Sequence, residues 1–284
     1  MAMNPPLQPL SPTRPGPQAG PGGPGGPSGP SGVHATRRAL MRGVWRDVAL
    51  VAAGLLLAAL AAAWAAGLGA DYVFKALAWL AAGAMGIGAG LRAGTHPHAR
   101  FGNANRITLV RLALAALLVG LLGEAAWSSP KAGPGALAWV VVVLATATAL
   151  LDAADGALAR RSGLASAFGA RFDMETDAAY TLVLCALVWQ AGQAGPWVLL
   201  AGLLRYLFIA AAWYWPWLGA PLPPSRRRQT VCVVQITSLI VCLAPIVSPA
   251  LAMLLAAASL ALLGGSFAVD VSFLARTRRL CLET

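Results

Sequence analysis

The chain has 284 residues, of which 58% are hydrophobic and only 11% are charged. Soluble domains carry about 25% charged residues, so this composition excludes an ordinary soluble enzyme and a disordered regulator and favours a chain surrounded mainly by lipid. The net charge is +11, and 19 of the 21 basic residues are arginine. On a membrane protein such charge points to orientation and anionic lipid rather than to nucleic acid, so we expect no nucleic-acid partner.

The first segment differs from the rest of the chain. Residues 1–32 contain ten of the 20 prolines and eight of the 31 glycines. Such a segment cannot bury enough apolar surface to offset the entropy lost on ordering. We therefore predict a disordered tail over residues 1–36, followed by a membrane-embedded chain.

Long apolar runs follow this tail. Each run can cross the ~30 Å hydrocarbon core as a helix, and backbone groups in lipid must be satisfied within the helix itself. The predicted fold class is therefore all-α, a polytopic membrane helix bundle with the lipid bilayer as its main partner. The eight predicted spans cover about residues 48–69, 72–91, 107–127, 135–158, 173–192, 196–215, 230–247 and 250–270.

The basic residues test this count of spans. Arginine clusters precede the first span, follow the second, fourth and sixth spans, and follow the eighth, whereas the alternate loops hold only Lys75 and Lys131. With eight spans, every arginine cluster falls on one side, which the positive-inside rule assigns to the cytoplasm. Both termini are then cytoplasmic. The composition, rich in Ala, Gly and Arg, is typical of GC-rich bacterial genes and suggests the inner membrane.

Five of the ten acidic residues lie between positions 152 and 177. Asp152 and Asp155 are three residues apart, and Asp173 and Asp177 are four apart, so each pair shares one face of its helix. Because the fourth and fifth spans are antiparallel, both pairs should lie at one depth, just below the cytoplasmic surface. Four carboxylates from neighbouring helices form an oxygen cage suited to Mg²⁺ or Mn²⁺. Glu175 is expected to face away from this cage.

Small residues and arginines around the aspartates complete a longer motif. It reads Asp152-x2-Asp155-Gly156-x2-Ala159-Arg160-x8-Gly169-x3-Asp173-x3-Asp177. This segment resembles the signature of the CDP-alcohol phosphotransferase family at all eight positions. Asn105-x2-Thr108-x2-Arg111 is also similar to the opening of the family's first core helix. The resemblance covers roughly residues 103–272. It implies a six-helix catalytic core in a domain of residues 101–284. The two extra N-terminal transmembrane helices predicted in residues 37–100 lie outside the resemblance and are a departure from the family pattern.

The resemblance implies an integral membrane enzyme of phospholipid synthesis. Such an enzyme moves a substituted phosphate, here a phosphatidyl group, from a CDP-linked donor to an alcohol acceptor and releases CMP. We expect CDP-diacylglycerol as the donor. Relatives often form homodimers.

The resemblance also implies roles for individual residues. Asp152, Asp155 and Asp173 would bind two divalent ions, Mg²⁺ or Mn²⁺, and Asp177 would be both a ligand and the catalytic base. The CDP donor would be bound by a further set: Gly156, Ala159, Arg160, Gly169, Asn105, Thr108 and Arg111.

Three further arginines are candidates for binding the acceptor. Arg205 lies about 14 Å into the sixth span, where an unpaired charge is costly, so we expect it to contact the polar site. The alternative is a structural bond to backbone carbonyls. Arg226 and Arg227 are candidates for binding an acceptor phosphate, although membrane topology and anionic lipid explain them as well. For Arg111 the alternative is snorkelling to the cytoplasmic surface.

Two other functions use similar carboxylates. A membrane prenyltransferase binds diphosphate through two aspartate-rich motifs, but these lie on distant helices, whereas 17 residues separate Asp155 from Asp173. A divalent-cation transporter needs polar groups near the midplane of several spans, where only Arg205 stands out. The structural alternative for the aspartates is an ion-pair network with Arg111, Arg160 and Arg171.

Overall fold

The computed structural model describes residues 30–92, 101–124, 135–162 and 166–283. Within these ranges it leaves undescribed the side chains of residues 30–36, 154–162, 167 and 279–283. All regular structure in the described ranges is helical. The prediction of an all-α membrane bundle is therefore confirmed.

Eight α-helices make up these ranges: α1 (Pro30–Ala66), α2 (Ala70–Arg92), α3 (Asn103–Gly120), α4 (Ala136–Ser162), α5 (Ala167–Gln190), α6 (Leu199–Tyr214), α7 (Arg226–Cys242) and α8 (Pro249–Glu283). Short 3₁₀ turns at Pro196–Val198 and Pro216–Gly219 precede and follow α6.

Six of these helices are long and apolar enough to cross a membrane: α1, α2, α3, α4, α6 and α8. The other two do not meet that standard, although each coincides with a span predicted from the sequence. α5 carries Asp173, Glu175 and Asp177 in its first half, and α7 has only 17 residues and begins with three arginines. Both helices are thus polar at one end, and it is this end that contributes to the candidate site below.

The start of α1 differs from the prediction. α1 begins at Pro30, inside the segment 1–36 that we predict to be disordered. Proline is well tolerated in the first turn of a helix, because the N–H group that it lacks has no intrahelical partner there. The remainder of the predicted tail, residues 1–29, lies outside the described residues.

Helix α3 occupies the centre of the bundle and contacts α1, α2, α4 and α5. One buried apolar cluster joins α3 to α4, α5, α7 and α8, and a second packs α1 and α2 onto α3. Glycines allow close helix packing at two positions. A Cβ on Gly202 of α6 would lie 2.6 Å from the Leu182 Cα of α5, and one on Gly120 would lie 2.6 Å from the Tyr72 ring. Such small residues are typical of helix contacts in membranes.

Polar contacts hold the N-terminal helices at both ends of α3. Asp47 of α1 accepts a hydrogen bond of 2.7 Å from Arg106 Nε, at the start of α3. At the other end, Lys75 Nζ of α2 lies 2.9 Å from Glu124 and donates to the Leu122 carbonyl at 2.7 Å. α1 and α2 are therefore fixed against the helix that carries Arg111.

Candidate active site

The side chain of Arg111 lies beneath three of the four motif aspartates. It is only 1% exposed. Its Nη1 atom lies 2.9 Å from Asp152 Oδ1 and 2.6 Å from Asp173 Oδ1, and its Nη2 atom donates to Asp177 Oδ1. We call these four residues the acidic cluster. Arg111 therefore contacts the aspartates and does not extend to the cytoplasmic surface.

The three carboxylates converge on one point. Asp152, Asp173 and Asp177 each offer an oxygen, and these oxygens lie within 4.8 Å of one another. Their side chains are 35–42% exposed, so Arg111 closes the buried side of the cluster and the carboxylates open outwards. Three carboxylates against one guanidinium leave two uncompensated negative charges. Oxygen ligands with excess negative charge are what Mg²⁺ and Mn²⁺ require, so these residues fit a divalent ion.

Helix packing explains this convergence. Asp173 and Asp177 are one turn apart on α5, and α3 packs against both α4 and α5. Tyr180, less than one turn beyond Asp177, donates a hydrogen bond of 2.7 Å to the Ala145 carbonyl of α4. This buried bond fixes α5 against α4, so Asp152 lies opposite the α5 pair. The predicted meeting of carboxylates from the fourth and fifth helices is present in the structure for these three residues.

Four positions of the motif lie on α4 among residues whose side chains are not described: Asp155, Gly156, Ala159 and Arg160. Their roles as metal ligand and donor-binding residues stay predictions. The same holds for the ion-pair alternative that involves Arg160.

Two of the predicted donor-binding residues come together at the start of α5. A Cβ on Gly169 would lie 2.7 Å from Asn105 Oδ1 of α3, so a larger residue at position 169 would displace the Asn105 side chain. Ser166 caps α5 by accepting a hydrogen bond of 3.0 Å from the Gly169 backbone N–H. The Asn105 amide in turn donates to the Phe101 carbonyl. Thr108, one turn along α3 from Ala104, donates to the Ala104 carbonyl at 3.2 Å.

Arg205 does not join the acidic cluster. Its Nη2 atom lies 2.5 Å from Glu175 Oε1, and its Nη1 atom lies 2.8 Å from Met174 Sδ. The expected contact with the polar site is therefore replaced by a pair with Glu175. As predicted, Glu175 faces away from the other α5 carboxylates, because two residues along a helix turn the side chain to the opposite side. This pair has one charge of each sign and is neutral.

A second group of charges joins α7 to α8. Arg227 Nη2 lies 2.5 Å from Asp270 Oδ1, and its Nη1 atom donates to the backbone carbonyl and the hydroxyl of Ser266, both at 2.6 Å. Arg228 lies 3.3 Å from the same carboxylate. We call Arg227, Arg228 and Asp270 the basic cluster, because two guanidinium groups share one carboxylate. Arg226 is exposed on the first turn of α7.

Asp270 has no place in the motif, and sequence reasoning missed it. The available signal was an acidic residue within the last predicted span, since such residues are rare in membranes and usually have a partner there. Helix α7 also connects the two clusters. It packs against α4 and α5, the helices that carry the aspartates.

Residues 101–264, more than half of the chain, match the CDP-alcohol phosphatidyltransferase family. No curated protein and no solved structure matches the chain. The matched region begins just before α3 and ends within α8, so it contains the whole acidic cluster and excludes α1 and α2. The resemblance carried by the motif is confirmed, and the chain belongs to the CDP-alcohol phosphatidyltransferase family of membrane transferases, which act on substituted phosphate groups.

Proposed function

We propose that the protein transfers a phosphatidyl group from CDP-diacylglycerol to an alcohol and releases CMP. The observation that carries this proposal is the acidic cluster. Carboxylates from two helices of the family region open outwards above a buried arginine and retain excess negative charge. The Glu175–Arg205 pair on the other face of α5, by contrast, has one charge of each sign and leaves no surplus to attract a cation.

The residues proposed to hold two divalent ions are Asp152, Asp155, Asp173 and Asp177. When bound, such ions supply the positive charge that neutralises the donor diphosphate and stabilises the departing CMP. The three aspartate side chains are 35–42% exposed, and their open sides leave room for further metal ligands above Arg111.

The chain's own residues would then orient the reaction. The motif residues Gly156, Ala159, Arg160 and Gly169 bind the CDP end of the donor, with Asn105 beside Gly169. The acceptor hydroxyl oxygen attacks the phosphorus on the lipid side of the diphosphate. A new P–O bond forms, the bond to the bridging oxygen breaks, and that oxygen leaves with CMP. Asp177 takes the acceptor's proton.

The acceptor approaches, in this proposal, from the side of α7. Arg227 and Arg228 carry one positive charge more than Asp270 neutralises, and Arg226 is exposed beside them. An anionic acceptor such as glycerol phosphate or inositol phosphate suits this charge better than serine does. Arg205, which is paired with Glu175, has no part in this binding.

The deciding experiment is an acceptor screen. The full chain, purified in mild detergent, is incubated with labelled CDP-diacylglycerol, Mg²⁺ or Mn²⁺, and one acceptor at a time, and both CMP and lipid product are measured. We expect equal amounts of CMP and one new phospholipid with a phosphorylated acceptor. The double variant Asp152→Asn/Asp173→Asn is the matched negative control. Release of CMP with a soluble CDP-alcohol but not with CDP-diacylglycerol would overturn the choice of donor.

The proposed orientation has its own test. A reporter fused after residue 162 should read as cytoplasmic, and a reporter at residue 131 should read as external, because arginines cluster only near the first position. Reversed or equal signals would contradict cytoplasmic termini and an active site that faces the cytoplasm.

A further inference from the structure

The two N-terminal helices, which lie outside the family region, form a pocket of their own. It has a volume of about 730 Å³ and is lined by Arg37, Arg38, Met41, Arg42 and Arg92. The first three arginines lie on α1 and the fourth is the last residue of α2. Arg37 Nη2 donates a hydrogen bond of 3.0 Å to the Arg92 carbonyl, which links α1 to α2 beside the pocket. We call this the arginine pocket.

The acidic residues of these helices do not neutralise the pocket. α1 and α2 contain only two, Asp47 and Asp71, and residues 93–100 contain none. Asp47 is 11% exposed and is held by Arg106 of α3 at 2.7 Å, with Arg46 at 3.7 Å. Asp71 lies in the first turn of α2, at the end opposite Arg92. Four arginines therefore line one pocket without a carboxylate among its lining residues, and an anion would relieve the repulsion between their guanidinium groups.

The presence of arginines from two helices in one pocket distinguishes it from an ordinary signal for membrane topology. A positive-inside signal needs basic residues on one side of the membrane, but it does not need residues 55 positions apart to line one cavity. Guanidinium groups arranged in this way match the oxygens of a phosphate, to which each can donate two hydrogen bonds.

The position of the pocket selects a lipid phosphate. Met41 is the apolar member of the pocket lining, and α1 is continuously apolar only after Asp47. About one turn along α1 from Met41, Trp45 packs over α2, since a Cβ on Gly88 would lie 3.5 Å from its indole. Tryptophan is enriched at the level of lipid headgroups, and basic pockets between transmembrane helices bind anionic headgroups. The pocket thus combines four arginines with an apolar lining residue and lies about one turn of α1 from a tryptophan.

We propose that the arginine pocket binds the phosphate headgroup of an anionic phospholipid, and that this lipid fills the gap between α1 and α2. This site is separate from the acidic cluster and does not depend on the proposed reaction. Because Asp47 joins α1 to Arg106 at the start of α3, the bound lipid also stabilises the contact between the N-terminal helices and the family region.

The test is native mass spectrometry of the full chain in mild detergent, titrated with phosphatidylglycerol or with phosphatidylcholine of the same acyl chains. We expect phosphatidylglycerol to bind at least ~10-fold more tightly, because its phosphate is not paired with a cation of its own. In Arg38→Gln/Arg42→Gln that preference should fall by ~10-fold or more. The matched control, Arg276→Gln/Arg278→Gln, removes two guanidinium groups from α8 and should retain the wild-type preference.

A second variant keeps the test independent of folding. Arg92→Gln removes the guanidinium group that α2 contributes to the pocket but retains the backbone carbonyl that Arg37 binds, and it should also weaken phosphatidylglycerol binding. Size-exclusion chromatography checks that each variant is intact. If the pocket and control variants lose the phosphatidylglycerol preference equally, net charge alone explains the preference and the proposal is overturned. Displacement of the lipid by millimolar inorganic phosphate or CDP would also overturn it, since the pocket would then be a site for soluble phosphate.

Discussion

The acidic cluster and the basic cluster are built alike but carry opposite residual charges. In the acidic cluster Arg111 pairs with three aspartates, and in the basic cluster Asp270 pairs with two arginines. In each case the minority charge is the more buried group: the Arg111 side chain is 1% exposed and that of Asp270 is 12% exposed. The majority charges are about a third exposed.

We propose that this difference gives each cluster a separate task. A buried minority charge holds its partners together, since an isolated ion inside the protein is costly, while the partners keep surplus charge on the open side. The surplus is negative on α4 and α5 and positive on α7. In the proposed transfer, the negative surplus would serve a metal-bound diphosphate and the positive surplus would serve an anionic acceptor.

The largest expected effect comes from reducing the surplus negative charge. Asp152→Asn or Asp173→Asn should each lower turnover by at least ~10², because a ligand is lost from a site that acts by neutralising charge. We expect the same of Asp155→Asn. Glu175→Gln is the matched control, since it removes a carboxylate from α5 outside the cluster and should leave turnover within a few-fold. Near-normal turnover in an aspartate variant, measured at equal protein level, would contradict its assignment as a ligand.

A variant of Asp177 distinguishes between its two proposed roles, metal ligand and catalytic base. If it takes the acceptor's proton, Asp177→Asn should lower the single-turnover rate by ~10²–10⁴. Donor affinity should fall by less than about tenfold, because Asp173 one turn away still holds its place. Titration of both quantities against Mn²⁺ distinguishes the roles. If raised Mn²⁺ restores rate and affinity together, Asp177 is mainly a ligand and the base lies elsewhere.

Arg111 tests whether the buried minority charge positions its partners. Arg111→Lys keeps the charge but cannot bridge three carboxylates, because an ammonium group lacks the planar fork of guanidinium. We expect turnover to fall ~10-fold and the Mn²⁺ concentration for half-maximal activity to rise, as the carboxylates spread apart. A purely structural role would lower the melting temperature and leave the Mn²⁺ dependence unchanged. Activity and melting are measured on the same preparation.

The helix-face argument predicted part of this site from sequence. Spacings of three and four residues put Asp173 with Asp177 and turned Glu175 away, because helix periodicity fixes which side chains share a face. Contacts between residues on different helices were harder to predict from the sequence. Which α3 residue faces α5 depends on how α3 is rotated in the bundle, and the pairing of Arg205 with Glu175 depends on the packing of α6 through Gly202. The arrangement of Arg227 with Asp270 spans 43 residues and has no local signal.

The basic cluster offers the smallest and most discriminating effect. Arg227→Gln removes the surplus positive charge, so the KM for a phosphorylated acceptor should rise by up to ~10-fold, the loss of about one charge-assisted hydrogen bond. Asp270→Asn removes the negative charge and so increases the positive surplus. The KM for the phosphorylated acceptor should therefore fall or stay constant. The KM for a neutral alcohol should move little in either variant, and kcat should be retained in both.

The alternative for this cluster is a clasp that only holds α7 to α8. Because Arg227 also donates to two oxygens of Ser266, its loss removes contacts between these helices in either case. Melting temperature alone therefore does not separate the two interpretations, but the sign of the KM change does. A clasp predicts that Arg227→Gln and Asp270→Asn impair the enzyme in the same direction and for every acceptor. Surplus charge predicts opposite directions, and only for an anionic acceptor. Arg276→Gln, which removes an exposed charge from α8 outside the cluster, shows how much of any KM change comes from net charge alone.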